Sequence, residues 1–552
     1  MSSLHNTGGL LHELVAASAR RTPEATALVH GEQSLSYLEL NTAVGQFASG
    51  LLALGVQRNE RVAVYLEKRM ETVVSSFGAS AAGAVHVPVN PLLKAEQVAY
   101  VLRDCNVRVL VTSVERLALL REVLGHCPDL QHVVLVTSPQ GGEGASKAST
   151  GAPVIAGWDE LLSAPASAGH RVIDTDMAAI LYTSGSTGSP KGVVLSHRNM
   201  VVGAHSVNAY LENTAQDTLL AVLPLSFDAG FSQLTTAFAV GARVALLNYL
   251  MPRDVLKAMQ QHRVTGLTAV PPLYMQLAQL SWPDGVTGTL RYFANTGGRM
   301  PQETLRVLRE RAPQVKPFLM YGLTEAFRST YLHPDQVDLR PDSIGKAIPN
   351  AEVLVLRADG SECAADEPGE LVHRGPLVSL GYWNNPEQTA ERFKPLTGST
   401  PWHPAGLQLP EYAVFSGDTV RRDAQGYLYF VGRKDEMIKT SGYRVSPTEV
   451  EEAIHATGRV IECVAFGVDH PVLGQVIQVL VYCTPDTMQS DVQSELLDAC
   501  RAGLPAYMVP AGVQVVGQPL PRNMNGKIDR KGLRAAWITD HQGTTEAKHT
   551  LP

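Results

Sequence analysis

Several short stretches of this chain combine residue types suited to chemistry on a phosphate. The first is Tyr182–Val193, YTSGSTGSPKGV. Within it, Thr183, Ser184, Gly185, Ser186, Thr187 and Gly188 join hydroxyls to residues that let the backbone approach closely. Such a loop can surround an oxyanion with N–H and O–H groups. Lys191 adds a compact charge that suits phosphate. The preceding Met177–Tyr182 (MAAILY) reads as a buried strand. Strand, Gly-rich turn and lysine together predict a phosphate cradle. The stretch is a poor flexible linker, since linkers do not usually follow a buried strand or end in Pro-Lys-Gly. It also fails the Walker pattern GxxxxGK[ST], because Lys191 follows Pro190 and precedes Gly192.

A second stretch, Tyr321-Gly322-Leu323-Thr324-Glu325, follows the strand-like Phe318–Met320. A tyrosine at a strand end offers a flat face to a base. A carboxylate a turn later can hold Mg²⁺, which prefers hard oxygen ligands beside phosphate. The plain alternative is a core tyrosine and a solvent-facing glutamate. Gly417-Asp418 lies in VFSGDTVRRD, where one carboxylate can accept both hydroxyls of a ribose. Alone, Ser-Gly-Asp is only a turn signal. Then come Gly432-Arg433-Lys434-Asp435, Lys439, and Ser441-Gly442-Tyr443-Arg444. Near the end, Asn525-Gly526-Lys527 marks a turn whose lysine is otherwise a solvated surface group.

These residues must be positioned by regular elements. Leu10–Arg20 and Leu35–Leu54 have helical character. Arg61–Tyr65, Val85–Val89, Val107–Val111 and Val133–Val136 read as strands, with helices at Met70–Ala84 and Gln97–Asp104. Strand and helix alternate, which predicts α/β layering with parallel sheets. Thr218–Leu225 and Arg243–Leu247 are further strands. Phe227–Val240, Arg253–His262 and Pro301–Arg311 are helices. From about residue 340 to 432 the character changes to short strands and turns, a β-rich subdomain. A separate α/β unit follows, with a helix at Pro447–His455, strands at Ile461–Val468 and Val476–Tyr482, and a helix at Asp491–Ala502. Ser138–Pro153 and Pro395–Pro410 read as surface insertions.

The length of 552 residues requires more than one core, since single cores stop growing at about 250–300 residues. The net charge of −7 argues against a nucleic-acid partner. The six cysteines show no CxxC spacing, and read as reduced residues of a cytoplasmic protein. No secretory signal and no membrane-spanning apolar run is expected.

In order and rough spacing, these stretches resemble the acyl-adenylate-forming (AMP-dependent synthetase/ligase) superfamily over nearly the whole chain. LSYLEL at Leu35–Leu40, GEL at Gly369–Leu371, GYWNNPEQT at Gly381–Thr389 and LPAYMVP at Leu504–Pro510 add to the match. The resemblance implies a large N-terminal domain, 1–432, of two α/β sheets plus a distorted β-barrel. It implies a small mobile α+β C-terminal domain, 433–540, hinged at Asp435, with a polar tail at 541–552. It implies ATP and Mg²⁺. Thr183–Gly188 and Lys191 would bind the phosphates, and Tyr321, Gly322, Thr324, Asn295, Thr296 and Gly297 would surround the adenine. Glu325 and Thr187 would hold Mg²⁺, and Asp418 and Arg433 the ribose. Lys527 and Lys439 would be catalytic, and Gly442-Tyr443 would line the thiol channel. The activity implied is carboxylic-acid activation as acyl-AMP, then transfer to CoA or a carrier protein's phosphopantetheine.

Phe227-Asp228 resembles amino-acid adenylation domains, whose aspartate pairs with the substrate ammonium. Asp228 is also a plausible N-cap for the helix Ala229–Val240. The matching pocket is Asp228, Ala229, Ser232, Ala269, Ala294, Thr296, Met320, Arg328 and Ser329. Arg328 can face a second carboxylate, or pair with Glu325 three residues back on a helix. GLTEAFRSTYL and PDSIGKAIPNAE resemble free-standing bacterial ligases, including carrier-loading enzymes and the acyl-CoA ligases of exosortase-associated clusters. No carrier domain follows Leu533, so the thiol is expected in trans. The alternatives are an ordinary fatty or aryl carboxylate–CoA ligase and, more remotely, a luciferase-like oxidative enzyme.

Overall fold

A computed structural model describes residues 9–136, 153–183, 190–396, 409–433, 436–440, 443–470, 473–483, 492–523 and 527–545, without the side chains of 439, 443, 444 and 542–545. The cradle residues Ser184–Gly188, the hinge Asp435, Gly442, Asn525-Gly526 and most of both expected insertions lie outside these residues.

The strands of the first third are rich in Val and Ala and buried on both faces, as parallel sheets require. They form a seven-stranded sheet in the order 154–157, 132–136, 107–113, 61–65, 85–88, 177–183, 191–196. All neighbours are parallel except the last pair. A second, larger sheet carries Thr218–Ala221, Arg243–Leu246, Gly266–Ala269, Tyr292–Asn295 and Lys316–Tyr321 as its parallel part. Beyond Lys316–Tyr321 it continues antiparallel through Thr330–Leu332 and Ser343–Ala347 into the β-rich strands Leu428–Arg433, Tyr412–Arg422, Gly369–Arg374 and Glu352–Leu356. The β-rich subdomain is thus hydrogen-bonded to the second sheet without a break.

Helices Tyr37–Ala53, Met70–Ala82, His197–Leu211 and Asp228–Val240 share one core with residues of both sheets, among them Val62, Val64 and Leu181 of the first and Leu219, Val244 and Phe318 of the second. Burial on several sides explains why Met70–Ala82 is so rich in small residues: a Cβ on Gly78 would meet Phe47 Cδ1 at 2.6 Å. Leu35 and Ser36 lie in the strand Gln33–Ser36, and the helix starts only at Tyr37. Ser36 caps it by a reciprocal box with Glu39.

The C-terminal module has its own core, including Ile438, Val450, Ile454, Ala465, Val479, Leu496 and Cys500. Its sheet pairs Glu462–His470 with Gly474–Tyr482, flanked by the parallel strand Gly512–Val516 and the short hairpin Ile438–Thr440 and Tyr443–Val445. The helix Pro447–His455 stands where its N1 proline predicts. The expected tail is partly helical, since Arg530–Thr545 forms one helix whose Trp537 and Leu533 pack beside Phe466. Arg433, expected to open this module, instead ends the strand that pairs with Tyr412–Arg422. All six cysteines are free and buried, and among the described residues no helix is long and apolar enough to cross a membrane.

Candidate functional site

The strand Met177–Thr183 returns antiparallel as Lys191–Ser196, with Thr183 opposite Lys191. The two strands that flank the Gly-rich stretch are thus antiparallel neighbours. In a Walker loop a helix would follow instead, so the structure agrees with the failed Lys-Ser/Thr spacing. Gly192 leaves room both for its partner strand and for the segment 380–383: a Cβ there would meet Ile180 Cγ2 at 2.8 Å and Trp383 Cβ at 3.4 Å. Backbone bonds Val194 N to Gly381 O (2.9 Å) and Trp383 N to Gly192 O (2.8 Å) hold it.

That segment delivers Tyr382, which sequence reasoning did not single out. Its hydroxyl donates to Glu325 Oε1 at 2.6 Å, and Lys191 Nζ stands 5.4 Å from its ring centroid. Burial, then Arg392, lowers the Lys191 pKa, and Glu325 opposes them. Glu325 sits on the single turn Thr324–Ala326 after the strand Lys316–Tyr321, fixed also by Ser379 N donating to its carbonyl at 2.8 Å. Cradle lysine, tyrosine and glutamate thus form one cluster.

Tyr321, at the end of its strand, donates its hydroxyl to Asp418 Oδ2. Asp418 is buried and lies opposite Arg433 in the antiparallel pair of strands. Arg433 Nε is 3.4 Å from Asp418 Oδ1, an ion pair without a hydrogen bond, so Oδ1 is a buried acceptor with no donor. Burial raises the Asp418 pKa, against Arg433, the Tyr321 hydroxyl and Lys527. Asn295 is committed to structure: Nδ2 donates to Gly298 O (2.8 Å) and Oδ1 accepts from Met320 N (3.3 Å). It shapes the bend at Gly297, where φ is +76°.

Lys527 comes from the C-terminal module. Its backbone exchanges hydrogen bonds with Asn523, N to Oδ1 at 3.1 Å and O from the Asn523 N–H at 2.8 Å. Lys527 is exposed as a residue, yet its ammonium stands in the field of Arg433, Asp418, Asp228 and Glu436. Enclosure by protein, then Arg433, lowers its pKa, and the three carboxylates oppose this. Lys527 is therefore close enough to Asp418 and Asp228 for their charges to act on it. The modules also meet where Arg299 binds both Asp342 and Glu452 of the helix Pro447–His455. Backbones of Lys439 and Tyr443 lie in the short hairpin of that module.

Asp228 is the first residue of the helix Asp228–Val240, and the capping position belongs to Phe227, whose backbone is extended. Asp228 Oδ1 accepts from Ala229 N at 2.7 Å. The helix can start here because Gly230 has no side chain: a Cβ would stand 1.8 Å from Pro224 O. A narrow cavity is lined by Ala229, Ser232, Met320 and Arg328 of the expected pocket, and by Gln233, Thr236 and Thr268, which were not foreseen. Asp228, Ala269, Ala294, Thr296 and Ser329 of the expected pocket do not line it, although Thr296 Oγ1 accepts from Arg328 Nη1 at 3.0 Å. Arg328 does not pair with Glu325. Phe327, at φ +54°, turns the chain between them, so no helix spans the two.

The model of the AMP-binding enzyme family matches residues 15–383, and that of the AMP-binding enzyme C-terminal domain matches 449–527. The L-proline--[L-prolyl-carrier protein] ligase of Pseudomonas fluorescens is 31% identical over 95% of this chain and 98% of its own length. The 3-hydroxybenzoate--CoA ligase of Aromatoleum sp. (strain CIB) is 30% identical, covering 94% of each chain. A linear gramicidin synthase of Brevibacillus parabrevis is 32% identical over 95% of this chain, which spans only 6% of that much longer protein. The structure of the anthranilate CoA ligase AuaEII with anthranoyl-AMP superposes with a TM-score of 0.84 at 26% identity, over 97% of this chain and 98% of that one.

Proposed function

Because the chain belongs to the AMP-binding enzyme family, we propose that it is an ATP-dependent acid–thiol ligase that proceeds through an acyl adenylate. The observation that carries this reading is the run of contacts from Lys191 through Tyr382 to Glu325, in the turn after the strand whose Tyr321 bonds Asp418. The stretch Thr183–Gly188 and Lys191 take the triphosphate. Tyr321, Gly322, Thr324 and the bend Asn295–Gly297 enclose the adenine. Asp418, with its donor-free Oδ1, accepts a ribose hydroxyl beside Arg433.

A carboxylate oxygen of the acid bonds to the α-phosphorus, the bond from that phosphorus to the bridging oxygen breaks, and pyrophosphate leaves. Attack of one anion on another needs neutralisation, which Lys527 and Lys191 supply to the five-coordinate transition state and the leaving group. A Mg²⁺ ion suits the site: Glu325 offers a hard oxygen beside the cradle, and among the described residues no group of three or more His, Cys, Asp or Glu side chains could hold a metal alone. Glu325 and Thr187 would hold the ion, which would screen the phosphate charge. In the second step a thiolate bonds to the acyl carbon, the acyl C–O bond breaks, and AMP leaves with that oxygen. The small domain turns about Asp435 between steps, removing Lys527, bringing Lys439 in, and presenting Gly442-Tyr443 to the pantetheine arm of CoA or a carrier protein.

Asp228 at the cleft favours an amino or β-amino acid, whose ammonium it would pair. Likeness to a benzoate-type CoA ligase supports the second reading, an aryl or fatty acid and CoA. A pyrophosphate-release screen across amino, β-amino, dicarboxylic, fatty and aryl acids, with and without CoA, tests both. Release stimulated by one acid class is expected. No stimulation by any acid over ATP alone refutes the ligase reading, and stimulation by aryl or fatty acids only refutes the role of Asp228.

A further inference from the structure

In the cavity lined by Ala229, Ser232 and Gln233 stands a charge with no counter-charge. Arg328 is only 4% exposed. Its Nη1 donates to the neutral Thr296 hydroxyl at 3.0 Å, and its Nε has no acceptor. Among the described residues no carboxylate pairs with it. The same cavity is lined by Gln233 of the helix Asp228–Val240, 5% exposed, whose Oε1 and Nε2 both lack partners. Buried amides and guanidinium groups are normally hydrogen-bonded, and a buried cation is normally paired. Two adjoining exceptions in one cavity indicate a missing polar occupant. A guanidinium fork beside an amide donor matches the planar, two-oxygen geometry of a carboxylate.

We infer that the acid activated here carries a second carboxylate, seated against Arg328 and Gln233 while the first reacts at the nucleotide. This rests on the reading of the site as a carboxylic-acid-activating one. Val207, Leu219 and Met320 line the same narrow cavity. An acid lacking the distal charge leaves the guanidinium unpaired, so the selection works against neutral analogues as well as for the diacid.

The test is pyrophosphate release by the full chain with matched pairs: aspartate and asparagine, glutamate and glutamine, succinate and succinamate, glutarate and glutaramate. A diacid is expected to exceed its amide by about 100-fold or more in kcat/KM. In Arg328→Gln that ratio should fall to near one. Thermal melts guard against a folding artefact: the preferred diacid should raise the Tm of the wild type and not that of Arg328→Gln, while both give cooperative melts. Gln233→Leu, which keeps the charge, should lower the ratio by a smaller factor. Equal or better turnover of the amides, or of apolar monoacids, overturns the inference, as does an unchanged ratio in Arg328→Gln. Release with monoacids alone defeats this inference and spares the ligase reading; no release with any acid defeats the ligase reading itself.

Discussion

Replacing Tyr382 by phenylalanine isolates one contact in the cluster of Lys191, Tyr382 and Glu325. The substitution removes the hydroxyl that donates to Glu325 Oε1 at 2.6 Å. It keeps the ring face under Lys191 and the edge-to-face packing on Phe393 at 5.5 Å. Tyr382 is 8% exposed, so bulk water replaces the lost donor poorly. A hydrogen bond to a charged group is worth about 1.5–3 kcal/mol. At about 1.36 kcal/mol per tenfold, that corresponds to a fall of about 10- to 150-fold if Glu325 must be held in place for the transition state. ATP–pyrophosphate exchange with Mg²⁺ titrated from limiting to saturating concentration is the assay. The variant should lose kcat/KM for ATP within that range and need more Mg²⁺ for half-maximal rate, while its thermal melt stays cooperative. Exchange within twofold of wild type, with the same Mg²⁺ dependence, would refute the idea that Tyr382 positions Glu325.

Other consequences concern the scaffold. His86 and His373 are buried with both ring nitrogens unpartnered, and burial lowers the pKa of each to about 3. Below about pH 6.5 the unfolded chain takes protons that these two sites refuse. Folding stability should therefore fall as pH drops from 6.5 towards 3, by up to about 1.4 kcal/mol per pH unit for each histidine. Urea melts of His86→Phe over that window should show a shallower pH dependence than wild type, and an identical slope would contradict this. Gly230→Ala places a Cβ 1.8 Å from Pro224 O, so the helix carrying Asp228 must shift. A loss of about 3 kcal/mol in stability is expected by chemical denaturation, and a change under about 0.5 kcal/mol would show that the helix start is soft. Arg291 holds the buried Asp217 by two bonds of 2.8 Å, from Nε and Nη2. Arg291→Met should cost about 3 kcal/mol by leaving that carboxylate short of charge, and a urea midpoint equal to wild type would count against it.

Local signals in the chain foretell much of this scaffold. Runs such as RVAVY and VRVLV are strands in the structure, and Ser36 with Glu39 marks the start of a helix that apolar periodicity alone places two residues early. What stays hidden depends on contacts between distant residues. Tyr382 meets Glu325 across 57 positions of sequence, and nothing near either one announces the other. Gly230 matters because of a carbonyl on a different element, not because of its own helix. Arg328 stands at a spacing that suits pairing with Glu325, but the positive φ of Phe327 sends the two side chains apart, and no pattern of residue types reveals that. Asp228 is similar: it has a capping residue's chemistry, while the extended backbone that defines the cap falls at Phe227.

The most direct measurement follows an oxygen atom. An acid that supports pyrophosphate release is supplied with ¹⁸O in its reacting carboxylate, and the reaction is run to completion with the thiol acceptor. Attack of that carboxylate on the α-phosphorus, followed by thiol attack on the acyl carbon, transfers one heavy oxygen to the nucleotide. AMP carrying a single ¹⁸O, seen by mass spectrometry, is the predicted result; unlabelled AMP, or ADP in its place, would contradict the acyl-adenylate route.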